Sequence, residues 1–372
     1  MLVVDRAMEP QAPPSGLLAL LRREAQHFFT LARSDRPWHM PIAAAAATGF
    51  PLLTGAYFGH MDYGQASSLG GLIFLYLSNT PLASRMVTLM VCAFGMTACY
   101  TLGVISHFVP VLMMPVLAGM AILVLMISRF YGLGMPGGLF FIMAASIGAY
   151  SPLGILDVPL FVGLVSMGGL LACLIAFFYS LYDLRTRPPG PVPERPSPSF
   201  DFLVFDPVVI GLFVGVSLAL AQLFQLHNAY WVPVSCLAVI QGVSLRAVWN
   251  RQVHRLVGTA LGLALAWGLL MLPLDPWSLS LIMMGLTLII ETLVVRHYAF
   301  AVVFITPLTI LLVEAAQLGR GGSPALLIEA RLFDTVLGCL VGLVGGYCLH
   351  SPRFRAIGRQ ALRRLIPERL LP

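Results

Sequence analysis

YWVPVSCLAVIQGVSLRAVWNRQVHRLVGTALG, Tyr230 to Gly262, is the stretch that decides the fold of this chain. An apolar run at 229–245 is followed by a short segment carrying Arg246 and Arg251, and a second apolar run opens at 253–272 with Arg255 in its first turn. Two apolar stretches joined by a short turn, with arginines only on the turn side, are the pattern of a membrane hairpin whose turn faces the cytoplasm. Arg251 and Arg255 are four residues apart, and Gly258, Thr259 and Gly262 continue the same helix face. Two guanidiniums beside a close-packed seam could receive a carboxylate bidentately, or simply anchor the span at its inner end.

The rest of the chain reads the same way. Of 372 residues, 58% are hydrophobic and 10% charged, against about 25% charged in a soluble protein; the mean hydropathy is +0.88. Apolar runs fall at 38–59, 65–80, 86–106, 109–127, 132–150 and 157–182, then at 207–226, 229–245, 253–272, 276–295, 298–317 and 330–350. At about 20 residues per crossing, about 12 transmembrane helices are expected, in an all-α polytopic membrane protein. Residues 1–36 read as a tail and, from Ser15, an amphipathic interfacial helix; 183–206 is a Pro- and Arg-rich linker; 351–372 is a basic tail. No secretory signal pattern opens the chain, because Asp5 and Glu9 interrupt it.

All 22 basic residues are arginine. With both termini and the linker cytoplasmic, every arginine except Arg320 and Arg331 lies on the inner side, as the positive-inside rule demands. Trp38 and Trp249 are expected as anchors at inner edges, Trp231 and Trp277 at outer edges. The net +6 charge is accounted for by topology, so nucleic acid is not an expected partner.

The absence of lysine excludes a P-loop ATPase and Schiff-base chemistry. There is no GxSxG, no HExxH and no CxxC, and the eight histidines are scattered without ligand spacing. Neither an enzyme nor a metal or cofactor site is expected.

The two halves, 37–182 and 207–350, resemble each other. Arg129-Phe-Tyr131 stands 167 residues before Arg296-His-Tyr298, and His60 with Tyr63 stands as far before His227 with Tyr230. Six spans per half makes this a parallel repeat, which usually places a substrate path between the halves. Gly258xxxGly262 and Gly338xxxGly342 read as close-packing helix faces.

Ionisable residues and breaks within spans complete the candidate set. Glu291 lies near the end of its span, five residues before Arg296; it is a proton-coupling carboxylate or the partner of a loop arginine. Asp334, three residues beyond Arg331, is a second coupling candidate or an internal pair with that arginine. Thr306-Pro307 interrupts the eleventh span near its middle, where a freed carbonyl needs a threonine or a substrate. Gln241, Ser244 and Ser235 could line the same path.

Several of these residues carry a family resemblance. Tyr230-Trp231, the Arg251–Arg255–Gly258–Thr259–Gly262 run and Arg331-Leu-Phe-Asp334-Thr335-Val-Leu-Gly338 resemble the fusaric acid resistance (FUSC) and aromatic acid exporter superfamily. Pro51-Leu-Leu-Thr-Gly55 and Gly64-Gln-Ala-Ser-Ser-Leu-Gly70 resemble its N-terminal region, so the likeness covers roughly 37–350. The resemblance implies a proton-driven inner-membrane exporter of aromatic carboxylic acids or similar hydrophobic weak acids, with a periplasmic adaptor protein beside some relatives. Arg85, Arg251, Arg255 and Arg296, with Arg129, would attract the anion, and Thr306 and Pro307 would line its path. Many members carry a sizeable cytoplasmic domain between or after the membrane halves, where this chain is read as having only the linker and a short tail. Plant aluminium-activated malate channels are also similar, so two fused halves would mimic a dimer around one path; a passive anion channel and a non-transporting envelope subunit stay open as alternatives. The glycine faces suit either a monomer or a homodimer.

Overall fold

The computed structural model describes residues 36–192, 199–226, 229–318 and 324–365, with the side chains of 313–318, Pro324 and Leu365 left aside. The interfacial helix expected from Ser15, the middle of the linker, His227 and Arg320 lie outside these residues. Among the described residues the regular structure is entirely helical.

The chain forms α1 His39–Phe58, α2 Met61–Gly71 with a 3₁₀ turn Leu72–Tyr76, α3 Leu82–His107, α4 Pro110–Phe130, α5 Leu139–Ala149 and α6 Val158–Thr186. After the linker come a π turn Asp201–Phe205, α7 Asp206–Leu223, α8 Trp231–Ile240, α9 Leu245–Leu270, α10 Pro276–Leu293, α11 Tyr298–Leu318, α12 Pro324–His350 and a terminal α13 Pro352–Leu365. Eight of these segments are long and apolar enough to cross a membrane: α1, α3, α4, α6, the π turn with α7, α9, α10 and α12. The protein is thus a polytopic α-helical membrane protein.

Of the roughly twelve helices expected, three are shorter than a full crossing. α2 stops at Gly70-Gly71 and tightens into the 3₁₀ turn; α5 has 11 residues and α8 has 10. At 1.5 Å per residue such pieces reach about 15–17 Å, roughly half the hydrocarbon core. Breakers set their ends: Met135-Pro136-Gly137-Gly138 precedes α5, and Gly242 follows α8. A broken helix is tolerated in a membrane only where protein surrounds it. α8 meets that condition, since every residue except Ala238 is buried.

The helices pair in the same order in both halves. Among residues 39–186, α2 packs on α6, and α3 packs on α5 and α6. Among residues 206–350, α8 packs on α12, and α9 packs on α11 and α12. Between them, the first helix of each set packs on the fourth of the other: α1 on α10, and α7 on α4.

Small residues make the closest seams. A Cβ added at Gly258 would lie 2.8 Å from the Ala299 carbonyl oxygen, and one at Gly262 would lie 2.6 Å from that of Val303, both on α11. A Cβ at Gly338 would run into the Val232 carbonyl, and one at Gly342 would lie 2.8 Å from that of Cys236, both on α8. These four glycines therefore let α9 and α12 approach α11 and α8 backbone to backbone.

Candidate functional site

Close packing leaves a set of charged side chains deep in the second half. Arg255 sits ten residues into α9, about 15 Å along its axis from Leu245. Its side chain is buried; Nη2 donates to Ser235 Oγ on α8 at 3.1 Å and Nη1 to the Tyr298 hydroxyl on α11 at 3.4 Å. Its Nε has no hydrogen-bond partner. Among the described residues, then, this buried guanidinium is met by hydroxyls alone. That is a costly arrangement in a low-dielectric interior and one that an incoming anion would relieve.

Arg331 enters from the opposite side, seven residues into α12. It is 2% exposed, its guanidinium carbon lies 3.8 Å from the centre of the Trp231 ring, and Nη2 donates to Thr309 Oγ1 at 3.3 Å. Asp334, one turn further along α12, is fully buried. Cys339, also on α12, is within electrostatic reach of both Arg255 and Arg331. α8, α9, α11 and α12 therefore converge on one cationic, hydroxyl-rich and aromatic region inside the bundle.

Other candidates lie elsewhere. Arg85 is 1% exposed and consumed within its own half: Nη1 pairs with Asp183 at 2.9 Å, Nε donates to the Thr80 carbonyl, and Nη2 donates to Asn79. With its donors so engaged it pins α3 to the end of α6 and offers an anion little. Arg129 is held by Asp206 at 3.0 Å and by the Phe202 carbonyl. Arg251 is half-buried one turn before Arg255, and Arg296 is exposed on the turn between α10 and α11. The five arginines do not form one ring; Arg255 is the one at the heart of the convergence.

Thr306 is buried, but its hydroxyl turns back to the Val302 carbonyl at 3.0 Å, and Thr309 likewise reaches the Thr306 carbonyl at 2.9 Å. The carbonyl that Pro307 frees belongs to Val303, four residues earlier, and it faces the Gly262 notch rather than a threonine hydroxyl.

Glu291 is 6% exposed and pairs at 2.9 Å with Arg36, which stands ahead of α1. Its arginine partner thus comes from the other half of the chain and belongs to a segment expected to be part of the tail. Trp231, expected as an outer-edge anchor, is 1% exposed beneath Arg331. Trp38, Trp249 and Trp277 are exposed, as membrane-interface anchors would be.

Tyr298, Trp231 and Thr309 join the expected residues in this region, and Arg331, expected outside or at the outer edge, is buried in it. One signal was present: Tyr298 is the partner of Tyr131 in the internal match at 167 residues.

The fold is that of a polytopic helical membrane protein, and its second half encloses this buried cationic region. Residues 215–345, the stretch that contains the region, match the family described as fusaric acid resistance protein-like. That stretch of the second half is similar to the family. The chain is also similar to an uncharacterized membrane protein, YvaC, of Bacillus subtilis (strain 168), with 22% identity over 464 residues, covering 85% of this chain and 73% of that protein. No solved structure matches the chain.

Proposed function

We propose that this protein is a secondary transporter of the bacterial inner membrane that exports aromatic carboxylic acids or similar hydrophobic weak acids in exchange for protons. The observation that carries the proposal is Arg255: a buried guanidinium, about 15 Å along its helix, met by two hydroxyls and no carboxylate among the described residues. A substrate carboxylate there would complete the charge balance, and the neighbouring Trp231 and Tyr298 would suit an aromatic body. Arg251 and Arg296, nearer the arginine-rich end, would draw anions toward the site.

In this reading the chain is a tandem of two parallel six-helix units with both termini cytoplasmic, and the matching helix pairings support it. Glu291 and Asp334 are the proton-coupling carboxylates. A proton on Glu291 would release Arg36 and loosen the α1–α10 seam between the halves. Whichever state binds that proton more tightly is the one it favours. The family resemblance supports the choice of substrate class, and it makes a periplasmic adaptor protein a partner to look for.

Proteoliposomes loaded with labelled aromatic acids, with and without an imposed proton gradient, test this directly. Export should follow the gradient, fall at least about tenfold in Arg255→Ala, and recover only partly in Arg255→Lys, which restores the charge without the planar fork. Flux that ignores the gradient and survives Glu291→Gln would make the protein a passive anion channel. Absence of any flux, with Arg255→Ala indistinguishable from the parent, would leave a non-transporting membrane subunit as the better reading.

A further inference from the structure

At the arginine-rich end of the second half, the start of α9 packs on the last turns of α12, with Val248 against Gly346. Between them lies an open groove of about 640 Å³, lined by Leu245, Arg246, Trp249, Leu343, Val344 and Tyr347. This groove opens on the outer surface of the bundle: Leu245, Trp249, Val344 and Tyr347 are all substantially exposed. Its walls are aliphatic, and the two aromatic residues have the amphipathic character that favours the level of lipid headgroups. Arg246 supplies the charge, and the α9 segment from Leu245 to Gly262 contains three arginines and no acid.

We propose that this groove is a binding site for an anionic phospholipid of the cytoplasmic leaflet. One acyl chain would lie along Leu245, Leu343 and Val344, the glycerol region would sit between Trp249 and Tyr347, and Arg246 would meet the phosphate. A guanidinium suits phosphate geometry better than a point charge does, and its planar face also packs beside indole. The occupant is a lipid rather than a soluble anion because the walls below Arg246 are apolar and face outward. It is an anionic lipid because, among the described residues lining the groove and along the start of α9, the charged side chains are arginines. Placement in the cytoplasmic leaflet rests on the positive-inside assignment of this end of the bundle.

The site is separate from the Arg255 region. Arg246 precedes Arg255 by nine residues, about 13 Å along α9, and the groove faces outward whereas Arg255 is buried between α8 and α11. Because α9 and α12 carry both sites, lipid in the groove would brace the two helices that bring Arg255 and Arg331 inward.

Native mass spectrometry of the full chain, titrated with phosphatidylglycerol or phosphatidylcholine of identical acyl chains, tests the inference. The parent protein should bind phosphatidylglycerol about fivefold more tightly, the preference expected from about one cationic contact at a membrane surface. Arg246→Gln should remove that preference while leaving chain-driven binding, and Arg246→Lys should keep most of it. Val344→Trp should fill the groove and weaken both lipids. Circular dichroism and thermal unfolding in detergent establish that each variant is folded, and the lysine and glutamine variants differ in the headgroup contact alone. Equal affinity of the parent for the two lipids, or a preference that persists in Arg246→Gln, would overturn the proposal.

Discussion

At the scale of single residues, the ion pair between Arg36 and Glu291 is the clearest case of a contact whose two ends differ in environment. The Glu291 side chain is 7% exposed and that of Arg36 is 28% exposed. Removing the arginine leaves a carboxylate with little access to water, whereas removing the carboxylate leaves an arginine that can still reach solvent. Arg36→Gln should therefore destabilise the protein by about 3 kcal/mol and Glu291→Gln by about 1 kcal/mol. Thermal unfolding in detergent should rank them in that order, and the double variant should fall short of their sum. An inverted ranking would show that Arg36 is not what satisfies Glu291. The same pair illustrates what a sequence can disclose at this scale. Glu291 stood out because an acid within an apolar run is costly, but its partner lies 255 positions away, and no local pattern points to it. Arg255 was legible through its spacing with Gly258 and Gly262. Its partners Ser235 and Tyr298 come from two other helices, so only the packing identifies them.

At the scale of elements, glycine separates helix seams from open faces. Gly338 in α12 has no room for a Cβ because the Val232 carbonyl occupies that place, while Gly119 in α4 has nothing within 4 Å. Gly338→Ala should cost about 1–3 kcal/mol by forcing α12 away from α8. Gly119→Ala should instead add about 0.5–1 kcal/mol through helix propensity. Opposite shifts in detergent melting temperature would check both together. The start of α10 offers a pH readout. Asp275 caps it, with Oδ2 accepting from the Trp277 amide at 3.0 Å and Ser278 completing a capping box. The Ser278 hydroxyl and the Trp277 amide together hold the Asp275 carboxyl below its ordinary value of 3.8. A depressed carboxyl contributes stability that is fully present above the unfolded value and is lost as pH falls through the folded one. Hydrogen exchange at the amides of residues 277–279 should therefore quicken, relative to the intrinsic rate, as pH falls below about 4, and Asp275→Ala should remove that dependence. Long apolar helices such as α6 and α10 match their apolar runs of 157–182 and 276–295 to within a turn or so. α5 and α8 are shorter than their apolar runs of 132–150 and 229–245, because glycine and proline end a helix without ending hydrophobicity.

At the scale of the whole molecule, the linker joins two helical sets that are held together through the bilayer region and at one polar corner. α1 packs on α10 and α4 on α7. At the corner, Asp206 at the start of α7 accepts from Arg129 of α4 and from Arg355 of α13, each at 3.0 Å. Arg355 also reaches Asp201 at 3.1 Å, so the first set, the linker end and the terminal helix share one charge network. These contacts do not require a continuous chain through residues 193–198. Co-expressed fragments ending at Val192 and beginning at Ser199 should therefore co-purify from membranes. Asp206→Arg in the second fragment should weaken that association, because it sets three arginines against one another. The second fragment contains Arg255, Arg331, Trp231 and Tyr298, and so the whole of the buried cationic region. If it accumulates alone as a stable pair with itself, the first set is dispensable for assembly and a path between the two halves is untenable. If neither fragment accumulates without the other, the α1–α10 and α4–α7 seams are what completes the fold, and Glu291, held by Arg36 across one of them, stands where a proton could act on both halves.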